Sequence, residues 1–599
     1  MTDLAVSLGA GLLRDVHATG VLNWGDVHVA QKVAHLFGEA DQRVQLALAL
    51  TVRALREGST CLELDHNDQA RFETDAEATA QIPAGLWPEQ ASWRAVIEAS
   101  PLVNLGPQPA GDRPLRLVGQ RLYLERYWQE ETTVATELIA RRAAVADPPA
   151  SAELRAAAEE LLRVGDDADQ AVAAVVPLYA GVSVIAGGPG TGKTYTLARV
   201  LGMLARTQQR PPMIALAAPT GKAAVRMDEA MAKALTGMPT DLVTQLSGLR
   251  ATTIHRLLGW VPDSRNRFRH HRGNPLPHDV VVVDEASMVS VTLMARLLEA
   301  LRPTARLVLV GDPNQLAPVE AGAVLADIVD APVPTIPGLV AGLKELGISA
   351  SGRPVAVLQR NHRSGRAIAE LAAAVLAGSA DTVLELAGAG SAPVSFAATV
   401  ESSDLRQRVT TVGVAMIRAA RVGDVETALA MLETHRLLCA HRRGPFGVAQ
   451  WSRRVEDWLA AALPDFDPAP QWYAGRPVLV TQNSPELGLF NGDTAVVVKV
   501  DGQLRAYFAR GGQTQAVSPF LLEAVQTIHA MTVHKAQGSQ FGEASLILPD
   551  PDSPLLTREL LYTAITRAES RVNLIGSPES LRQAVLNRAR RASGLLARL

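Results

Sequence analysis

The chain has 599 residues, 47% of them hydrophobic and 20% charged, which excludes a disordered chain and is too long for a single core. Its two cysteines, Cys61 and Cys439, build neither a disulfide framework nor a zinc cluster, which fits a reducing cytoplasm. A net charge of −3 excludes bulk electrostatics as the means of holding nucleic acid, so such a partner needs a local groove.

The start, Met1-Thr2-Asp3-Leu4, lacks a positive region before its apolar run and does not read as a secretory signal. Residues 1–150 are read as a separate N-terminal domain and linker. They hold four of the eight tryptophans, punctuation at Pro101, Pro107, Pro109 and Pro114, and a linker at Asp147–Ser151. From residue 151 short apolar runs alternate with helical patterns. The runs are Val182–Ala186, Met213–Ala218, Val280–Val283 and Leu307–Val310, which predict a parallel sheet covered by helices. This first α/β domain is expected to span 151–350, with a small insertion about 235–278. The uncharged stretch Ala171–Gly190 has the length of a membrane span. Its glycines and Pro177 argue instead for a helix end, a strand and a turn, so no membrane partner is expected.

A second α/β domain is expected over 351–599, with strands at Val355–Leu358, Leu437–Ala440 and Val572–Ile575. Between about 475 and 525 the pattern changes to Val478–Thr481, Thr494–Val500 and Gln503–Phe508, with turns at Asn491-Gly492-Asp493 and Asp501-Gly502. This reads as a small inserted β-barrel of the SH3-like kind. The stretch Ala387–Ala397, rich in Gly, Ala, Ser and Pro, reads as a surface loop.

Gly187-Gly188-Pro189-Gly190-Thr191-Gly192-Lys193-Thr194 fits G-x-x-x-x-G-K-[ST], after a strand and opening a helix. The glycines let backbone N–H groups close on phosphate oxygens, so ATP is the expected ligand. Lys193 is expected to reach the β- and γ-phosphates and Thr194 to ligate Mg²⁺. Only seven of the 58 basic residues are lysine, so Lys193 survives in a chain that otherwise writes arginine. Val280–Val283 ends in Asp284-Glu285. Asp284 is expected to hold Mg²⁺, and Glu285 to polarise the attacking water. After Leu307–Val310, Gln315 carries the amide needed to sense a γ-phosphate.

The order of segments resembles superfamily 1 helicases. Ala218-Pro-Thr220-Gly-Lys222-Ala-Ala224 is similar to motif Ia, and Thr253-Ile-His255-Arg-Leu-Leu-Gly259 to the motif after it. Gly311–Pro318 resembles motif III and Leu358-Gln-Arg-Asn-His-Arg363-Ser364 motif IV. Thr532-Val-His534-Lys-Ala-Gln-Gly538-Ser-Gln-Phe541 resembles motif V, and Leu561–Ala568 motif VI. Gly444–Gly447, Gly488–Asp493 and Leu122–Trp128 sharpen the resemblance to the RecD family, the alpha subunits of exodeoxyribonuclease V (RecBCD).

The resemblance implies two RecA-like motor domains. It implies an ATP-dependent 5′→3′ single-stranded DNA translocase and helicase acting in double-strand break repair by homologous recombination. RecB-like and RecC-like subunits are its implied partners, single-stranded DNA and duplex ends its substrates, and the cytoplasm its compartment. Gln170 is implied to read adenine, Gly538 to contact the nucleotide, and Arg363 and Arg567 to reach the γ-phosphate. Thr220, Lys222, Thr253, His255, Thr532 and His534 are implied to face DNA; read alone, such hydroxyls serve equally as caps. The basic run Arg265–Arg272 is either a strap over a strand or a solvated loop.

None of the residues two before the seven lysines is glutamate. The Glu-x-Lys pair of metal-dependent nucleases is missing, and nuclease chemistry is expected on another subunit. Two alternatives stand beside this reading: a free-standing helicase, and a structural subunit with a degenerate motor. The intact set Lys193, Asp284, Glu285, Gln315, Arg363 and Arg567 argues against the second.

Overall fold

The computed structural model describes residues 11–599 except 66–71, 75–78, 109–111, 143–144, 146, 163–166, 262–266, 364, 389–392, 400–402 and 511–512. Near the N-terminus, helices Trp24–Phe37, Gln42–Arg56 and Gln90–Ala99 pack beside a four-stranded sheet. Its strand order is Leu62–Glu63, Arg121–Leu124, Leu115–Val118, Val103–Leu105. Asn23 and Asp26 cap the first of these helices reciprocally, satisfying two backbone N–H groups that a helix start leaves open. The long helix Glu125–Arg141 leaves this unit and packs along helix Val291–Ala300. Arg141 donates to the carbonyls of Leu298 and Leu301 at 3.3 and 3.0 Å, satisfying acceptors where that helix ends.

The central sheet is wholly parallel. Its six strands run in the order Val355–Leu358, Val182–Gly187, Arg306–Gly311, Val280–Val283, Ile214–Ala218, Ala251–Thr253. Helices cover both faces, so the strands read as unbroken apolar runs; Val280–Val283 is fully buried. A second parallel sheet follows, in the order Val394–Ala397, Ala568–Ile575, Phe541–Ile547, His435–Cys439, Ala530–Thr532.

Between the last two strands of that order in sequence, His435–Cys439 and Ala530–Thr532, lies a five-stranded antiparallel sheet. Its order is Gln513–Val517, Gln503–Arg510, Thr494–Val500, Pro477–Val480, Val525–Thr527. The two-residue turn Asp501-Gly502 has φ of 50° and 77°, the left-handed pair that a tight hairpin demands. The recorded pairing leaves Gln513–Val517 and Val525–Thr527 as edges rather than closing a ring.

Three boundaries differ from the expectation. Val355–Leu358 belongs to the first sheet, hydrogen-bonded beside Val182–Gly187, so that sheet runs past residue 350. An apolar run announces a strand but not its neighbours. Val394–Ala397 is a strand rather than loop, paired in parallel with the strand that ends at Ile575. The last residues do not stay with the second sheet. Leu595 is buried in the first sheet's core, and the Leu599 carbonyl accepts from Arg142 at 2.6 Å. Among the described residues no helix is long and apolar enough to cross a membrane.

The returning C-terminal segment is held by buried acids. Ser593 donates to Glu131 at 3.1 Å and to Asp327 at 3.0 Å, and the Gly594 N–H donates to Glu131 at 3.1 Å. Burial, with Glu131 and Asp330 nearby, pushes the Asp327 carboxyl up from its ordinary 3.8 to about 6, against the Ser593 hydrogen bond. A folded state that holds the proton more tightly than the unfolded chain is stabilised when the group is protonated. That stability is lost as pH rises from the unfolded value through about 6. Asparagine is the neutral mimic of the protonated acid, so thermal melts of wild type and Asp327→Asn should converge on acidification and diverge toward neutral pH, with wild type the less stable there by on the order of 2 to 3 kcal/mol. Parallel curves across that window would contradict the assignment.

Candidate nucleotide cleft and DNA groove

The phosphate loop joins the buried strand Val182–Gly187 to helix Lys193–Thr207. Gly190 and Gly192 sit at φ of 81° and 83°, a conformation open to glycine and costly for other residues. The loop is also crowded. A Cβ at Gly188 would lie 2.7 Å from the Tyr562 hydroxyl, at Gly190 2.7 Å from Asn361 Oδ1, and at Gly192 2.7 Å from Gln170 Nε2. Lys193 Nζ donates to the carbonyls of Gly187 and Gly188 at 2.8 and 2.9 Å, so the ammonium lies over the loop itself.

Asp284 follows the buried strand Val280–Val283, which Arg306–Gly311 separates from the loop's own strand, and its backbone N–H donates to the Ala217 carbonyl at 2.9 Å. Burial and the adjacent Glu285 push its carboxyl up to about 6, while Lys193 opposes the rise. Glu285 has φ of 51°, a left-handed non-glycine position of the kind concentrated at working sites. Asp312 is buried and likewise raised, by burial against Lys193 and its own hydrogen bonds. Its Oδ2 accepts from Gln315 Nε2 at 2.9 Å and from the Tyr562 hydroxyl at 3.1 Å. Gln315 is thus tied to Asp312.

The second lobe closes over this set. Arg567, 3% exposed, donates Nε to the Thr563 carbonyl at 3.1 Å and Nη1 to the Ser539 carbonyl at 3.2 Å. Its Nη2 is buried without an acceptor. Burial pulls its pKa down, and the nearby charges of Glu285 and Asp312 pull it up. A buried guanidinium N–H that lacks an acceptor beside two carboxylates fits an incoming phosphate oxygen. Arg363 stands at the loop, its Cβ 3.0 Å from where a Gly190 Cβ would lie, and its guanidinium donates to Gln540. Ser364 lies outside the described residues.

Several contacts were not singled out from sequence. Asn361 Nδ2 donates to the Pro189 carbonyl at 3.2 Å and the His362 N–H to Gly190 at 2.9 Å. Thr563 Oγ1 accepts from the Leu316 N–H at 3.0 Å, and Gln537 Nε2 donates to the Leu316 carbonyl at 2.8 Å. Arg226 donates to the Gly538 carbonyl and senses Glu285. Its signal was available: Arg226 lies one helical turn after Lys222, on the same face.

Gln170 sits in helix Ala168–Tyr179, which Asp167 caps. With Tyr195, Arg199, Arg360 and His362 it lines a cavity of ≈ 370 Å³ beside Gly192. Its Nε2 is 3.5 Å from His362 Nε2.

The residues expected to face DNA divide. Thr220 and Thr253 cap helices, accepting from the Ala223 and Arg256 N–H groups at 3.2 Å each. Thr532 is buried and accepts from the Lys535 N–H at 3.3 Å. Lys222 lies between the lobes, not on an open groove. Its Nζ donates to the Gly492 carbonyl at 3.0 Å and to Ser539 Oγ at 2.8 Å, and burial pulls its pKa to about 7. His255 is exposed, its ring centroid 5.9 Å from that of Phe268. Arg265 and Asn266 of the basic run lie outside the described residues. His534 lines a groove of ≈ 920 Å³ with Leu316, and burial with two nearby arginines lowers its pKa to about 4, which leaves it neutral.

Comparison with known proteins follows the same division of the chain. Residues 18–123 match the family model of the RecBCD enzyme subunit RecD, N-terminal domain. Residues 168–321 match an AAA domain and 527–575 a UvrD-like helicase C-terminal domain. The RecBCD enzyme subunit RecD of Mycolicibacterium smegmatis is 46% identical over 589 residues, covering 97% of this chain and 98% of that protein. The chain belongs to the RecD family. The subunit of the same name from Mycobacterium tuberculosis is 45% identical, covering 100% of this chain and 99% of that one. The ATP-dependent RecD2 DNA helicase of Deinococcus radiodurans is 30% identical, over 84% of this chain but only 63% of its own length. Membership in the RecD family thus extends across the N-terminal unit, both parallel sheets and the insert within the second.

Proposed function

We propose that the chain is the helicase subunit of a RecBCD-type enzyme, an ATP-driven motor that moves 5′→3′ on single-stranded DNA. One observation carries the reading. Lys193, Asp284 and Glu285 stand on the first sheet, and Arg363 and Arg567 arrive from segments that follow it, on the same cleft. A site divided between two lobes closes on nucleotide and reopens after hydrolysis, which is the stroke of a motor. Each lobe is read as a RecA-like motor domain, over 151–350 extended to the strand at Leu358, and from there to the C-terminal return. The five-stranded insert, open between its two edge strands, is read as SH3-like in kind.

In this reading Lys193 and the loop N–H groups bind the β- and γ-phosphates, and Gln170 takes the adenine edge in its cavity. Glu285 orients and deprotonates the attacking water. Arg363 and Arg567 meet charge that develops on the transferring phosphoryl group. Thr194 and Asp284 would hold Mg²⁺, which when bound neutralises phosphate charge. Gly538 and Gln315 transmit the nucleotide's presence, the first through Arg226 and the second through Asp312. Thr220, Thr253 and Thr532 fix the backbone that His255 and His534 use to face a strand.

The N-terminal unit is read as the docking surface for RecB-like and RecC-like partners. Helix Trp24–Phe37 leaves Val29, Leu36 and Phe37 exposed toward one side, apolar surface of the sort that partners cover. Nuclease chemistry is assigned to a partner. The full-length match to subunits of a complex favours this reading over a free-standing helicase.

The test is strand displacement on a duplex with a single 5′ or a single 3′ overhang, together with ATPase activity with and without single-stranded DNA. Stimulated turnover and unwinding from the 5′ overhang are expected. Unwinding from the 3′ overhang alone would overturn the polarity, and turnover indifferent to DNA would overturn the motor.

A further inference from the structure

After helix Pro578–Leu586 the chain crosses from the second lobe to the first and to the N-terminal unit. The crossing is fixed at both ends. The Asn587 carbonyl accepts from the Arg558 N–H at 2.8 Å and the Ala589 N–H donates to Glu559 at 2.8 Å, both on the second lobe. On the far side Arg591 donates to the Glu320 carbonyl at 3.2 Å, and the Ala592 carbonyl accepts from the Thr60 N–H at 2.8 Å. Between these anchors stand Arg588 and Arg590. Both are exposed, and among the described residues neither forms a hydrogen bond or ion pair.

Elsewhere among the described residues, arginines such as Arg116, Arg206 and Arg436 are held by a carboxylate or a carbonyl. Two alternate, unpaired guanidinium groups on a backbone pinned within a residue or two are a fixed display of positive charge. They line the groove of ≈ 920 Å³ that also holds His534 and Leu316, with Phe72 on its N-terminal wall. Glu57, Asp552 and Glu579 line it too. Of these, Glu579 already accepts from Gln583 at 2.7 Å, and Glu57 pairs with Arg56 at 2.9 Å.

We propose that Arg588 and Arg590 grip the phosphate backbone of single-stranded DNA where it passes His534, so that the C-terminal crossing is part of the DNA track. The inference rests on the motor reading above. Guanidinium groups without acid partners suit a sliding strand, because they hold phosphate through charge and forked N–H donors and read no base. Placement on the crossing adds a consequence. Its anchors lie on both lobes, so its arginines shift with the cleft and can hold the strand differently in its open and closed forms.

The experiment is equilibrium binding of the full chain to a fluorescent oligo-dT across a salt series, for wild type, Arg588→Gln/Arg590→Gln and Arg588→Lys/Arg590→Lys. Each neutralised phosphate of a single strand contributes about 0.7 to the slope of log K against log salt. The glutamine pair should flatten that slope by about 1.4 and weaken binding on the order of 10-fold at low salt. The lysine pair should keep the slope. A glutamine pair with the wild-type slope overturns the proposal, as does one that changes only the KM for ATP. Wild type that ignores DNA altogether overturns the motor reading, and this inference with it.

Discussion

Lys193→Gln should lower DNA-stimulated ATP hydrolysis by at least about 100-fold in kcat, while leaving folding and assembly with partners intact. The ammonium lies 2.8 and 2.9 Å from the Gly187 and Gly188 carbonyls, which hold it over the loop. When triphosphate enters, those carbonyl bonds are exchanged for phosphate oxygens, and the charge follows the ligand. Glutamine keeps a hydrogen-bonding end on a side chain one bond shorter, but carries no charge. Lys193 also opposes the raised carboxyls of Asp284 and Asp312. Its removal leaves both acids more readily protonated, so the residual activity should shift its acid limb to higher pH. Steady-state turnover at saturating DNA measures the first effect, a pH profile the second, and gel filtration with partners checks assembly. Wild-type turnover in this variant would remove the phosphate loop from the mechanism.

Much of the fold was legible where physics is local. Buried parallel strands are apolar on both faces, so Val182–Ala186 and Val280–Val283 announce themselves. Asp501-Gly502 announces its hairpin, because two successive positive φ values need those residue types. What stayed hidden is long-range pairing. Val355–Leu358 is plainly a strand, but nothing in its residues says that it lies against Val182–Gly187. Asn587–Gly594 has neither period nor apolar stripe. Its order comes from bonds to residues 58–60, Glu131 and Asp327, hundreds of positions away.

The site divides the same way. Loop, acids and arginines are motif-borne, and the fold draws them into one cleft. Lys222 was assigned to DNA by its motif, yet its ammonium is engaged by Gly492 and Ser539. Ser539 and Gly492 come from the far lobe, and a motif read along the chain does not contain its cross-lobe partner. Tyr562 is silent in the sequence for the same reason. Its hydroxyl bonds Asp312 and crowds Gly188, contacts that exist only once the lobes meet.

Arg567 is where that meeting has its largest chemical consequence, and Arg567→Ala should lower kcat about 1,000-fold with a much smaller change in nucleotide affinity. Two of its donors are committed to the Thr563 and Ser539 carbonyls, which fix the plane of the guanidinium. The third nitrogen is buried and unmatched, an arrangement that costs free energy until an acceptor arrives. That acceptor is worth most when it carries most charge, so the group favours the transferring phosphoryl over the ground-state ATP. Arg567→Lys separates position from charge. An ammonium cannot hold both carbonyls and still present a third donor in the same plane, so lysine should recover only a small part of the loss. Single-turnover hydrolysis with nucleotide affinity measured alongside tests this. Equal losses in affinity and turnover would make Arg567 a binding group, and full recovery by lysine would show that charge alone suffices. A drop confined to turnover leaves the second lobe as the part that completes catalysis. Closure of the cleft and hydrolysis are then one event, since the arginine reaches phosphate only when the lobes are together.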